Sequence, residues 1–270
     1  MGWPETIIED WSDLSALFEG LRIGRTGDLG WIFRGQADAS WDLRPSLSRL
    51  LGDYGISHKR AHGIEFGVFR RFTAVAHIHF GVRAPRTDLG PSPAWWMLMQ
   101  HHHCPTRVLD WTESPYVAAY FAVEQSPDVD GAVWMLPSSP LDTASTGAFG
   151  ELGEALDSGT FFSESPTPAV YPVAGLQHSD RSVAQQGVYT VAADILADHA
   201  PLVEAAFVDK PWALQSMKIV IPSTLKHEAL CRLRSMNITA SALFPGPDGV
   251  GRAASEYVRI RVWDTRSEAT

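Results

Sequence analysis

The chain has 270 residues, 45% of them hydrophobic and 20% charged, enough for an ordered core in one large domain or two small ones. A net charge of −9 argues against a general nucleic-acid-binding surface, which needs clustered Lys and Arg, and leaves room only for a local basic cleft. Two cysteines, Cys104 and Cys231, exclude a disulfide framework, and an acidic N-terminus with no membrane-length apolar run makes the expectation cytoplasmic, without a membrane partner.

Residues 11–23 read as an amphipathic helix with Ser12 as N-cap and Leu14, Leu17, Phe18 and Leu21 on one face. Gly30-Trp31-Ile32-Phe33 reads as a short buried strand that delivers Arg34 at its end. The chain is extended ahead of Pro45. The spacing of Ile64, Val68, Phe72, Val75 and His79 predicts a helix over 61–80, followed by a loop over 83–91. Ser92-Pro93 and Ser114-Pro115 each place a capping serine before proline at the first helical position. Between those two helices, 107–111 reads as a strand, and 131–136 as another. Residues 137–168, rich in Ser, Pro, Thr, Gly and Ala, are expected to form a mobile insertion within a single 1–270 domain, with a short helix near 150–157. Further strands are expected over 181–191, 218–221, 243–245 and 257–263, the last from its alternation of apolar and charged residues, and Ser223 is expected to cap a helix to about 235.

Several polar residues stand in apolar surroundings. Arg34 needs an anionic partner, because an uncompensated charge in low dielectric is costly. It either clamps a phosphate with its planar donor fork or pairs with an acid such as Asp110. Gly35 permits close approach of a ligand or makes a turn. His101, His102 and His103 are adjacent and point in different directions, so no metal is expected there. Trp111 is a stacking surface or core. Thr112 and Ser114 lie where a helix starts, a natural place for a phosphate and equally for plain capping. Gln185 and Gln186, in a strand-like run, would face opposite sides. Arg34, His101, Arg107, Asp110, Thr112 and Gln185 are therefore expected to line one cleft.

Four segments occur in one order: Phe33-Arg34-Gly35; Gln100-His101 through Pro105-Thr106-Arg107-Val108-Leu109-Asp110-Trp111-Thr112; Arg181-Ser182-Val183-Ala184-Gln185-Gln186-Gly187-Val188-Tyr189; and Leu243-Phe244-Pro245-Gly246-Pro247-Asp248-Gly249. Together they resemble the FRG-domain family. His103 stands where that family usually has glycine, and Gly246 where it has an acidic residue. FRG domains in turn resemble ADP-ribosyltransferases of the arginine-serine-glutamate type, through Ile32-Phe33-Arg34-Gly35 and through Asp110-Trp111-Thr112 followed by Val117-Ala118-Ala119-Tyr120-Phe121-Ala122.

The resemblance implies an α+β fold with a split, mixed but mainly antiparallel sheet flanked by helices. It implies NAD as substrate, with Arg34 holding the dinucleotide and Thr112 supporting the nicotinamide ribose. Gln185 or Gln186 stands in place of the usual glutamate, and Asp110 is the nearest alternative carboxylate. The candidate catalytic set is thus Arg34, His101, Asp110, Thr112 and Gln185. The candidate NAD-binding set is Phe33, Gly35, Gln36, Arg107, Trp111 and Gln186. The expected function is an NAD-dependent ADP-ribosyltransferase-like enzyme, as in a toxin or phage-defence effector, with a protein or nucleic-acid acceptor. The alternatives are a non-catalytic nucleotide-binding module, and a nuclease or other hydrolase using the histidines, which lacks the paired carboxylates a metal nuclease needs.

Overall fold

A computed structural model describes residues 3–21, 30–52, 54–80, 90–173, 179–208 and 216–267. Within them, seven strands form one sheet: β1 (Glu5–Ile7), β2 (Trp31–Gln36), β3 (Val108–Thr112), β4 (Gly131–Pro137), β5 (Val170–Val173), β6 (Gly187–Ala192) and β7 (Met217–Ile221). Their order is β1-β7-β4-β2-β3-β6-β5. Only β1 and β7 pair in parallel; the other pairings are antiparallel. The mixed, mainly antiparallel sheet flanked by helices is the one expected. Its split is visible in the register. β2 pairs with β4 along its whole length, and β3 with β6 likewise, whereas β2 and β3 meet only at Phe33 and Thr112.

Two apolar layers sandwich the sheet, as the two-residue alternation of side chains requires. Phe33, Val133, Met135, Ile219 and Ile221 face α1 (Trp11–Gly20), α5 (Pro115–Val123), α10 (Lys226–Ser235), α11 (Ala240–Leu243) and α12 (Pro247–Ser267). Ile32, Leu109, Trp111, Trp134 and Leu136 face α6 (Ser138–Phe149) and α9 (His199–Ala206). α5 is apolar on every side and buried on almost every side, so it is the central helix of the first layer. It lies directly on the strands. A Cβ on Gly35 would stand 1.9 Å from the Ala118 carbonyl oxygen, and one on Gly131 would stand 2.2 Å from that of Ala122. Gly35 therefore lets α5 pack directly on the strand.

Several sequence expectations are corrected. Asp10, not Ser12, caps α1, accepting from the Asp13 amide at 3.0 Å. Arg34 lies inside β2, not at its end. The helix expected over 61–80 is α3 (His58–Phe80). Ser114 caps α5, whereas Ser92 makes no side-chain bond to α4 (Pro93–His101). A 3-10 turn over Ser223–Leu225 precedes α10, and Ser223 caps neither. Residues 181–184 belong to a short helix, α8 (Asp180–Ala184), because Ser179 and Ser182 form a reciprocal capping box; the strand starts only at Gly187. Within the stretch expected to be inserted loop, residues 138–149 form α6, while the short helix expected near 150–157 is α7 (Leu152–Asp157). Residues 257–263 are helical: Ala253, Glu256, Ile260 and Trp263 turn inward at spacings of three and four, and the alternation is incidental. Leu243-Phe244-Pro245 ends α11 and is not strand. Most of the loop expected over 83–91 lies outside the described residues. No helix among the described residues is long and apolar enough to cross a membrane.

Candidate functional site

The open seam between β2 and β3 forms the floor of a pocket of about 250 Å³. Strand alternation sends Arg34 off β2 on the face opposite Phe33 and Gly35. Its guanidinium reaches across the seam, and Nη1 donates to the Asp110 carbonyl oxygen at 2.6 Å. Its Nε is buried without a partner, and among the described residues no carboxylate lies within ion-pair distance. Burial lowers the Arg34 pKa from its ordinary value, partly offset by the Asp110 charge. Arg34 thus meets Asp110 through the backbone, not as a salt bridge.

The Asp110 carboxylate stands over the pocket on the exposed side of β3. Gln100, on the last turn of α4, donates from Nε2 to Asp110 Oδ2 at 2.7 Å while its Oε1 accepts from the Thr106 hydroxyl. That pairing fixes which way the amide points. Opposite stands Arg181 of α8, lowered by burial and by Arg252 and raised by Asp110. Tyr189 on β6 completes the polar wall; burial, with the Asp110 charge behind it, pushes its phenol up to about 12. His101 lies at the rim, 3.3 Å from the Ser179 hydroxyl. Burial, together with His102, Arg181 and His103, lowers its pKa, which keeps the ring neutral at pH 7.

Arg34, His101, Asp110, Thr112 and Gln185 therefore line one pocket, with Phe33, Gly35 and Trp111. Two of them are committed to the fold. Thr112 donates to the Gln185 carbonyl at 2.7 Å and accepts from the Ser114 amide at 3.0 Å, so its hydroxyl proton is spent. Gln185 is in a turn, not a strand, and its amide donates to the Leu243 carbonyl at 3.0 Å.

Three expected residues lie elsewhere. Arg107 is buried behind the sheet, where Nε donates to Glu65 Oε1 at 2.7 Å and the guanidinium is stacked against Trp96 and Phe161. It is a core ion pair with Glu65. Gln36 is a core bridge, accepting from Trp134 Nε1 at 2.7 Å and donating to the Asp42 carbonyl at 3.0 Å. Gln186 is exposed, with φ of 47°, and its backbone carries its hydrogen bonds: its amide donates to the Val183 carbonyl and its carbonyl accepts from the Glu113 amide, both at 3.0 Å. Arg181, Gln100, Tyr189, Met97 and Phe121 also line the pocket. Arg181, Gln100 and Tyr189 stand in the same motif segments as the expected residues, but nothing in their spacing separates them from structural neighbours.

The histidine run closes a helix. His103 has φ of 60° and follows α4; its amide bonds the Gln100 carbonyl and that of Cys104 the Met99 carbonyl, the paired bonds of a Schellman end. Among the described residues, no three His, Cys, Asp or Glu side chains converge to hold a metal ion.

No curated protein and no solved structure matches the chain. A family model does, over residues 30–131, the stretch that runs from β2 through α5 and contains Arg34, Gln100 and Asp110 but ends before Arg181 and Gln185. The segments Phe33-Arg34-Gly35, Gln100-His101 and Arg107 to Thr112 all fall inside that match, and residues 30–131 are similar to the FRG domain.

Proposed function

We propose that the seam pocket binds an adenine nucleotide by its phosphate, with NAD as the ligand the family resemblance points to. The observation that carries this reading is the charge balance. Arg34 and Arg181 line one pocket whose single lining carboxylate is Asp110, in a chain of net charge −9. Two partly desolvated cations around one acid leave a positive site that an anion neutralises, and guanidinium groups match phosphate oxygens in geometry. Phe121, half-buried at the pocket wall, adds apolar surface for a ring.

A second, catalytic reading rests on Asp110. Its carboxylate is oriented by Gln100 and faces the pocket. In NAD cleavage the bond from ribose C1′ to the nicotinamide nitrogen breaks, the electron pair leaves with nicotinamide, and positive charge grows on the ribose. A fixed carboxylate beside that carbon favours the transition state. The nucleophile, water or an acceptor group, then bonds to C1′ and releases its proton.

Calorimetric titration of NAD and AMP into the wild type and Arg34→Ala tests the binding reading; equal affinity in both proteins would overturn it. Nicotinamide release, with and without protein and nucleic-acid acceptors, tests the catalytic one. Loss of release in Asp110→Asn with NAD affinity retained supports it; binding without release assigns the site to nucleotide sensing.

A further inference from the structure

α12 is apolar on two opposite faces. Its inner face is fixed. Glu256 is fully buried and accepts from the Tyr120 hydroxyl at 2.8 Å and from the Ala240 amide at 3.1 Å, and Trp263 packs in the same layer. The helix is thus locked and cannot roll to hide its outer face. At about 3.6 residues per turn, that outer face is the row Val250, Gly251, Ala254, Tyr257, Val258 and Val262, with Arg261 the one charge within it. Val250, Tyr257, Val258 and Val262 are 70%, 58%, 59% and 48% exposed. Exposed apolar side chains scattered singly are ordinary, but four on one stripe of one helix mark a contact surface.

The row fits a copy of itself run antiparallel. Two such helices approach most closely where the midline residue is small, which is Ala254. With a two-fold axis at Ala254, residue 250 of one copy is level with 258 of the other, and 251 with 257. The same flank of each row then meets across the axis. Val258 seats against Gly251 of the second copy on one flank, and Tyr257 lies against Val250 of the second copy on the other. The charges agree with this direction. The acid of α12, Asp248, is in its first turn, and Arg261 is exposed towards its other end. Antiparallel pairing brings Arg261 of each copy level with the acidic first turn of the other, whereas parallel pairing would set Arg261 beside Arg261.

We propose that the outer face of α12 is the contact between two copies of this chain, packed antiparallel about Ala254 in a reversible two-fold dimer. The same patch serves both copies, as a closed two-fold contact requires. The dimer does not depend on the nucleotide reading of the seam pocket.

The test is sedimentation of the wild type and of Val258→Asp across a wide range of concentration, with thermal melts to verify folding. The wild type should rise from the mass of one 29.6 kDa chain towards twice that value. Val258→Asp should stay at the single-chain mass with an unchanged melting temperature. Introduced cysteines then read the direction, in a Cys231→Ser background. Ala254→Cys lies on the axis and should form a disulfide-linked dimer on mild oxidation, because its two copies sit within the roughly 7 Å that a disulfide spans. Thr265→Cys lies about 16 Å along the helix from that axis, at about 1.5 Å per residue, and should not link. A wild type that stays monomeric at every concentration, or a dimer that Val258→Asp leaves unchanged, overturns the proposal. Linkage through Thr265→Cys but not through Ala254→Cys overturns it as well. A monomeric wild type that instead binds anionic phospholipid vesicles, with binding lost in Val258→Asp, assigns the face to a lipid surface and likewise overturns it.

Discussion

Arg34 holds the backbone of Asp110, not its side chain: Nη1 donates to the Asp110 carbonyl oxygen at 2.6 Å across the seam where β2 and β3 have parted. Asp110 pairs with Tyr189 of β6 on its other side, so Arg34 replaces a missing strand partner with a charged one. The carboxylate stays available above, held by Gln100.

This geometry sets the outcome of Arg34→Ala. No buried carboxylate is stranded, so the stability loss should be that of one charge-assisted bond, about 1–3 kcal/mol, and not that of a broken buried ion pair. Nucleotide binding should be lost. Arg34→Lys should recover little of it, because an ammonium cannot span the carbonyl and a phosphate as a planar fork does. Urea denaturation and NAD titration on the same samples give both numbers; a loss of stability beyond about 3 kcal/mol would assign Arg34 to the fold.

Arg107 should behave in the opposite way. Arg107→Met removes the partner of Glu65, itself buried and 3% exposed, and should cost about 3–5 kcal/mol. Adding Glu65→Leu should restore most of that, since a matched apolar pair needs no desolvation of charge. Denaturation midpoints of the single and double variants decide it. NAD affinity in the folded fraction should not change.

His103 adopts a backbone conformation with φ of 60°, which a side chain disfavours and glycine does not. His103→Gly should therefore leave the Schellman end intact and raise stability by up to about 1 kcal/mol. A drop in melting temperature would show that the histidine side chain contributes more than its backbone strain costs.

His199 gives the fold an acid sensitivity. Burial, with the charges of Arg34 and Arg107 behind it, pushes its pKa down from 6.5 to about 3. Below pH 6.5 the unfolded chain takes up a proton that the folded chain refuses, so stability falls as pH drops from 6.5 towards 3. The slope from this residue approaches about 1.4 kcal/mol per pH unit. Denaturation between pH 7 and 4 should show a shallower slope in His199→Phe than in the wild type; parallel slopes would show that another group is responsible.

The sequence alone determined the local elements whose signals lie within a few residues. The Ser114-Pro115 start of α5, the period of α3 and the apolar runs of β3, β4 and β7 are all legible, because caps, prolines and short-range periodicity act within one turn or one strand. It also carried the motif segments that fall within the stretch similar to the FRG domain. Only the tertiary structure decided which polar residues serve a site and which serve the core. Arg34 and Arg107 look alike in sequence, each an arginine in an apolar strand. Glu65, 42 residues from Arg107, makes that one structural, and the parted seam leaves Arg34 beside open space. Nor did the sequence separate the alternating run 257–263 from a strand, since the core that turns Glu256, Ile260 and Trp263 inward is assembled by α5, α10 and α11. Burial and partner identity are long-range quantities, and a single chain read locally contains them only after it folds.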